Sequence, residues 1–391
     1  MTGIATSPEA LRTRVIFVYF FVFGLCGSSW LVRLPEVRSL LGLSTATLGL
    51  VLMAGAVGAL ASLLNSGWFI SRFGARAAIG WGFAILTVAM VVTGASAVVA
   101  SVPGVVVGSI LTGVAFGIGD VGINVEGADV EKRAGRTLLP QFHGAYSLGT
   151  FAGAGVGTLC GAIAINLFWQ QTVLAVVLLV TTALTFRFLP AHTGIRGAPT
   201  HSPQNRRPRT QLTTRLVLLG LGILGFTLAE GAANDWITIA IVDDFRLSAT
   251  VAGITFACAM CGMVVVRFAG GRVVDRWGRV IALRASAVGG LIGVLLLIFA
   301  PSIFVAWAGA TLWGAGVALG FPLFISAAAD GENSSGRVAV VSTFGYVAFL
   351  VGPPLLGFLG ESWGVLNMFY VVAGLLVVSA ILSGAAKPLK T

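Results

Sequence analysis

The 391-residue chain has only 10% charged residues, where a soluble domain has about 25%, while hydrophobic residues reach 57% and mean hydropathy is +0.97. No water-soluble core hides that much apolar surface, which excludes soluble enzymes and binding modules. The net charge of +10 points to insertion and contact with anionic lipid headgroups, and no nucleic-acid partner is expected, because the basic residues form no soluble module.

Twelve apolar stretches follow one another, each close to the roughly 20 residues that carry a helix across about 30 Å of hydrocarbon. The first, 15–32, is too long for a cleaved signal and runs into Arg33-Leu-Pro35-Glu36 instead of small residues. Spans two to six are placed at 45–66, 77–98, 102–124, 139–161 and 165–188. Spans seven to twelve are placed at 214–241, 248–270, 280–300, 303–327, 338–359 and 364–384. Apolar residues surround each helix nearly completely, as lipid-embedded segments require.

Four cysteines, Cys26, Cys160, Cys258 and Cys261, fall within these spans; Cys258-Ala-Met-Cys261 has the spacing of half a metal set, but no second pair accompanies it. In the fifth span Gly149, Gly153, Gly157 and Gly161 recur every fourth residue, a stripe suited to close helix approach. Pro353-Pro354 is expected to disturb the eleventh span by removing ladder hydrogen bonds. Two G-x-G-x-x-G strings, from Gly117 and from Gly220, follow no strand, and a dinucleotide site is rejected on that context.

The hydrophilic stretch 190–212, with its prolines and arginines, reads as a cytoplasmic linker between two six-helix bundles, 1–189 and 213–391. The halves are related at an offset of 204: Leu43/Leu247, Ser44/Ser248, Gly49/Gly253, Gly58/Gly262, Gly67/Gly271, Arg72/Arg276 and Gly74/Gly278 are identical pairs. With both termini inside, all but three of the 24 Lys and Arg residues fall on the cytoplasmic side, and the outer loops keep Arg33, Arg38 and Arg246.

Gly67-Trp-Phe-Ile-Ser71-Arg72-Phe-Gly74-Ala-Arg76 and Gly271-Arg-Val-Val-Asp275-Arg276-Trp-Gly278-Arg279 resemble the paired loop signature G-x-x-x-D-R-x-G-R of the major facilitator superfamily. The resemblance implies an all-α polytopic fold of twelve transmembrane helices in two pseudo-symmetric six-helix bundles, lodged in a bacterial inner membrane and acting without an enzymatic step or cofactor. It also implies that Asp275 approaches the start of the fifth helix near Pro140 and Gln141 and holds the inner side shut, with Arg276 and Arg72 as further gating candidates, and that the latch is asymmetric, because Ser71 stands where the signature has an acid.

Ionisable groups within a span cost about 2.5–3.5 kcal/mol and normally face a partner or a cavity. Asp120 in the fourth span and Glu230 and Asp235 in the seventh are therefore candidates. Asp120-Val-Gly-Ile-Asn124 resembles the acid and asparagine, four apart, of the fucose–galactose–glucose:proton symporter branch and of the YbjJ-like bacterial group. That resemblance assigns proton coupling to Asp120; Leu31 stands where the branch carries another carboxylate, and Glu230, as an acid within a span, could have taken over that second role. Glu230 could instead be a structural partner of Arg267. The same resemblance places His143 and Tyr146 among the substrate contacts, with Asn124 beside them; Asn234, Asp235, Trp236, Trp30, Trp313 and Phe321 complete the candidates, the aromatics able to stack on a sugar ring or a cation. At the outer mouth Arg33 and the Asp243–Asp244 pair could attract one another when that side closes.

The expected function is secondary transport of a small polar solute, sugar- or polyol-like, by a monomer whose partners are that solute, protons and membrane lipid. Proton-driven export of a cationic or amphipathic compound is the alternative, and a transport-dead sensor a distant third.

Overall fold

A computed structural model describes residues 8–135, 138–195, 212–330 and 334–388. Among the described residues the regular structure is helical. The first half contains α1 (Pro8–Leu31), the short α2 (Leu34–Leu41), α3 (Thr45–Val98), α4 (Val102–Ala134), α5 (Leu139–Ala162) and α6 (Leu167–Thr185). The second contains α7 (Thr214–Asp243), α8 (Ala249–Ile298), α9 (Ile303–Val317), α10 (Gly320–Ala328), α11 (Ser334–Trp363) and α12 (Val365–Leu382).

The twelve crossings are distributed unevenly over these helices. Spans two and three are continuous in α3, and spans eight and nine in α8, each pair joined at one glycine: Gly74 at φ 85° and ψ 162°, Gly278 at φ 78° and ψ 165°. That backbone conformation is nearly closed to any residue with a Cβ, which explains the closing glycine in both copies of the loop signature. The tenth span is split instead, α9 giving way to α10 at Ala318 and Leu319. Nine segments among the described residues are long and apolar enough to cross a membrane, α9 and α10 counting as one. Because α3 and α8 each supply two crossings, these make eleven; α5, rich in glycine and polar side chains, is the twelfth. Large side chains such as Leu64, Trp68, Trp81 and Ile381 point outward, as a lipid-facing surface demands.

The chain folds as two compact units. One holds α1, α2, α4, α5, α6 and α3 from Ala54 onward; the other holds α7 to α12 together with Leu43–Met53, the loop residues before α3 and its first turns. Of the linker expected at 190–212, residues 196–211 lie outside the described residues. The part just after α6 turns back on the first unit, where the Ala75 amide donates to the Thr193 carbonyl at 2.8 Å.

Helix seams in the first unit are built on small residues. Cβ atoms added at Gly149 and Gly153 of α5 would lie 1.9 and 2.2 Å from the carbonyl oxygens of Phe21 and Leu25 in α1, so the two backbones touch. The same device locks α3 to α4, where Gly113 meets the Gly55 carbonyl and Gly58 meets that of Ile110. In the second unit Gly314 of α9 meets the Ala259 carbonyl of α8, and Gly262 meets that of Thr311. Residues 55/259 and 58/262 are 204 apart and 110/311 and 113/314 are 201 apart, so the repeat extends to the individual backbone approaches.

Candidate functional site

The α4 helix begins at Ser101, whose hydroxyl accepts from the Gly104 amide, and Pro103 fits its first turn, where no intrahelical donor is needed. About five turns later Asp120 and Asn124 share one face. The Asn124 Nδ2 donates to the Asp120 carboxylate at 3.2 Å and to its main-chain carbonyl at 2.9 Å. That leaves the Asn124 Oδ1 for His143 of α5, whose Nε2 lies 3.1 Å away. An amide oxygen only accepts, so Nε2 carries a hydrogen. The result is a directed chain in which His143 donates to Asn124 and Asn124 donates to Asp120. His143 is exposed and held edge-on by the Phe20 ring at 5.2 Å. Tyr146 lies one turn further along α5 and is half-buried, as is Trp30 near the end of α1.

The acids of α7 stand in different surroundings. Glu230 accepts from the Arg267 Nη2 of α8 at 2.9 Å, so its charge is compensated within the unit. Asn234 and Asp235 are half-buried, and Asp235 lines a small cleft against α11 with Gly231, Trp236, Phe349, Gly352 and Pro353. Trp236 and Trp313 are both fully buried. Trp313 donates to the Ala229 carbonyl at 3.2 Å and packs edge-on against Phe369, so its ring offers no open face to a ligand. Phe321 at the start of α10 is half-buried beside Gly345 of α11.

Two charge clusters were not singled out by sequence reasoning. In the first unit the buried Arg12 of α1 pairs with Glu126 and, at 2.8 Å, with Asp129, both on α4. In the second, Asp330 just beyond α10 accepts from Arg279 at 2.6 Å and from Arg215 at 3.2 Å. Partial burial pushes the Asp330 carboxyl up, but the two guanidiniums outweigh it and hold the group below its ordinary value. The available signal was the repeat itself: Asp129 and Asp330 are 201 residues apart, the offset of the α4–α9 seam.

The profile of the Major Facilitator Superfamily matches residues 15–331 and 219–390. The chain belongs to this superfamily. It is 28% identical over 380 residues to an uncharacterized MFS-type transporter of Yersinia pestis, covering 95% of this chain and 94% of that protein. It is 27% identical over 394 residues to membrane protein MosC of Rhizobium meliloti, covering 97% and 92% respectively. Among solved structures it resembles the nucleoside transporter NupG, with a TM-score of 0.77 at 15% identity over 96% of this chain and 100% of that one. FucP in the outward conformation gives a TM-score of 0.66 at 15% identity, covering 98% and 100%. The superfamily fold makes the chain a multi-pass membrane transporter and not an enzyme.

Its two loop signatures differ in detail. Asp275 is exposed and Arg276 lies over the Trp277 ring at 5.4 Å. In the first copy Arg72 is exposed, and the Ser71 hydroxyl donates to the Trp68 carbonyl at 2.8 Å, so it serves its own helix. At the opposite helix ends, Arg33 is buried and committed inside the first unit. Its guanidinium pairs with Glu36, donates to Gln170 at 2.5 Å and reaches the Ile165 carbonyl at 3.1 Å. Asp244 accepts from the Leu366 amide at 3.0 Å, satisfying a free donor at the start of α12, and Asp243 precedes it at the end of α7. Burial is the main influence on Asp244 and leaves its carboxyl above the ordinary value.

Proposed function

We propose that this secondary transporter moves a small neutral, hydroxylated solute such as a sugar or polyol in symport with protons, by alternating access of its two bundles. The chain from His143 through Asn124 to Asp120 carries this reading. It links an exposed imidazole on α5 to a carboxyl on α4 by hydrogen bonds whose donors all point toward the acid. Protonating Asp120 removes its negative charge and weakens its hold on the Asn124 amide, which is then left with a neutral carbonyl oxygen as acceptor. His143 would feel that change at once, which ties proton binding to whatever solute the imidazole holds.

The balance of charge supports a neutral substrate. Arg267 is matched by Glu230, so the pair offers no spare guanidinium to clamp a phosphate or carboxylate. The names of the structural neighbours, a nucleoside transporter and a fucose:proton symporter, agree with a hydroxylated ring as cargo. Tyr146, Trp30 and Phe321 are the proposed walls for such a ring, and the arginine-rich loops support an orientation with both termini in the cytoplasm of a bacterial cell.

The test is uptake of labelled sugars, polyols and nucleosides into proteoliposomes under an imposed inward pH gradient. Uptake of one of these that is abolished by Asp120→Asn, while exchange without a gradient persists, supports the reading. Gradient-driven uptake that survives Asp120→Asn overturns proton coupling at this site.

A further inference from the structure

In the cleft between α7 and α11 a half-buried acid is left unanswered among the described residues. Asp235 has no hydrogen-bond or ion-pair partner among the described residues. Its neighbour Trp236 is fully buried, and the indole Nε1 has no acceptor among the described residues. Both residues line the same small cleft. The rest of its lining, from Leu228 and Gly231 on α7 to Phe349 and Leu356 on α11, is uncharged. The nearest charges on α7 are Glu230, already paired with Arg267, and Asp243 at the helix end. On α11 the charged residues, Arg337 and Glu361, lie near the two ends of the helix.

A buried donor without an acceptor and an acid without a donor are both costly, and one water answers both. A metal cation fits poorly. It would need about six oxygens where the cleft supplies one carboxyl and the two main-chain carbonyls that the prolines of α11 leave free. A proton fits, because the neutral acid is the form that apolar walls tolerate without a counter-ion.

The wall opposite Asp235 also contains a weak point. Pro353 and Pro354 lie inside α11 and lack amide hydrogens, so the carbonyls of Phe349 and Leu350 have no helical partner there. Gly352 and Gly231 keep that stretch close to α7, with Cβ positions 3.6 Å from Leu228 and 3.7 Å from Phe349. Movement at the prolines opens or shuts the cleft without breaking a complete ladder.

We infer that Asp235 is a second proton-binding site of this transporter, loaded and emptied through the α7–α11 cleft as α11 flexes at Pro353. In the loading step a hydronium ion in the cleft gives its proton to the carboxylate and remains as the water that accepts from Trp236. Release is the reverse. The inference deepens the proton-coupled reading above by moving the second acid from the compensated Glu230 to the partnerless Asp235.

Proton binding is read directly, without knowledge of the solute, by difference infrared spectroscopy of the full chain in lipid as pH is stepped from acid to alkaline. The expected result is a carbonyl stretch of a protonated carboxylic acid that is absent in Asp235→Asn and displaced in Trp236→Phe, which removes the unpartnered indole N–H of the other polar residue lining the cleft. A spectrum of Asp235→Asn that keeps every wild-type band overturns the inference, and so does a band unmoved by Trp236→Phe. The Trp236→Phe arm stands alone if the Asn variant does not fold. Asp120→Asn removes its own band or fails to, so the earlier reading falls or survives independently.

Discussion

The two charge clusters occupy related places in the two halves and are built in opposite senses. In the first unit a single arginine, Arg12, sits between two acids, Glu126 and Asp129. In the second a single acid, Asp330, sits between two arginines, Arg215 and Arg279. The switch is traceable to two positions. Arg279 corresponds to Ala75 at the 204 offset, and Glu126 corresponds to Ala327 at the 201 offset. Both alanines are fully buried, so each half fills with a methyl group the place where the other holds a charge. A duplicated fold can thus exchange which partner is doubled while keeping each buried charge in contact with its opposite. Helix seams built on backbone contact have no such freedom, because nothing smaller than glycine exists.

The largest effect should come from Arg12. With Glu126 fully buried and Arg12 nearly so, Arg12→Ala leaves an uncompensated carboxylate and is expected to cost about 3–5 kcal/mol, read as a fall in the thermal unfolding midpoint of purified protein. Arg279→Ala should cost far less, since Asp330 keeps Arg215. Equal losses would erase the distinction between the clusters. Next come the seams, where Gly113→Ala and Gly314→Ala each drive a methyl into a carbonyl and should destabilise alike, by about 1–3 kcal/mol. A clear inequality would show that the repeat is not matched in energy as it is in geometry.

A smaller effect sharpens the comparison through pH. Asp330 is held below its unfolded value, so its contribution is complete above the ordinary carboxylate range, about pH 4, and is lost as pH falls through the lower folded value. Asp330→Asn should therefore lie below wild type in thermal stability near neutrality and converge with it in strong acid. Parallel curves would refute the ion-pair origin of the difference. The smallest change is expected at the loop after α7, where Asp244→Ala removes the acceptor for the Leu366 amide and should cost about 1 kcal/mol.

Much of the candidate site was legible because it is local. Asp120 and Asn124 are four residues apart, and helical geometry alone puts them on one face. The link to His143 was not legible as a hydrogen bond, because it depends on how α5 is pressed against its neighbours. Arg33 shows the same limit more sharply. Sequence placed it at an open mouth, while the fold buries it against Gln170 from a helix 137 residues away. Two roles for Glu230, coupling acid or partner of Arg267, are equally consistent with the sequence, and only the juxtaposition of α7 and α8 shows the ion pair.

Composition and local pattern were enough for the membrane environment, the twelve crossings, the repeat and the glycines at positions 74 and 278, because hydrocarbon thickness, helical rise and forbidden backbone angles act on short stretches of chain. Packing was needed to choose which charges are neutralised, where α9 breaks into α10, and which acid is left facing a cleft without a partner. Those outcomes depend on residues far apart in the chain, often by more than a hundred positions, arriving within a few ångströms, and no local pattern records the arrival.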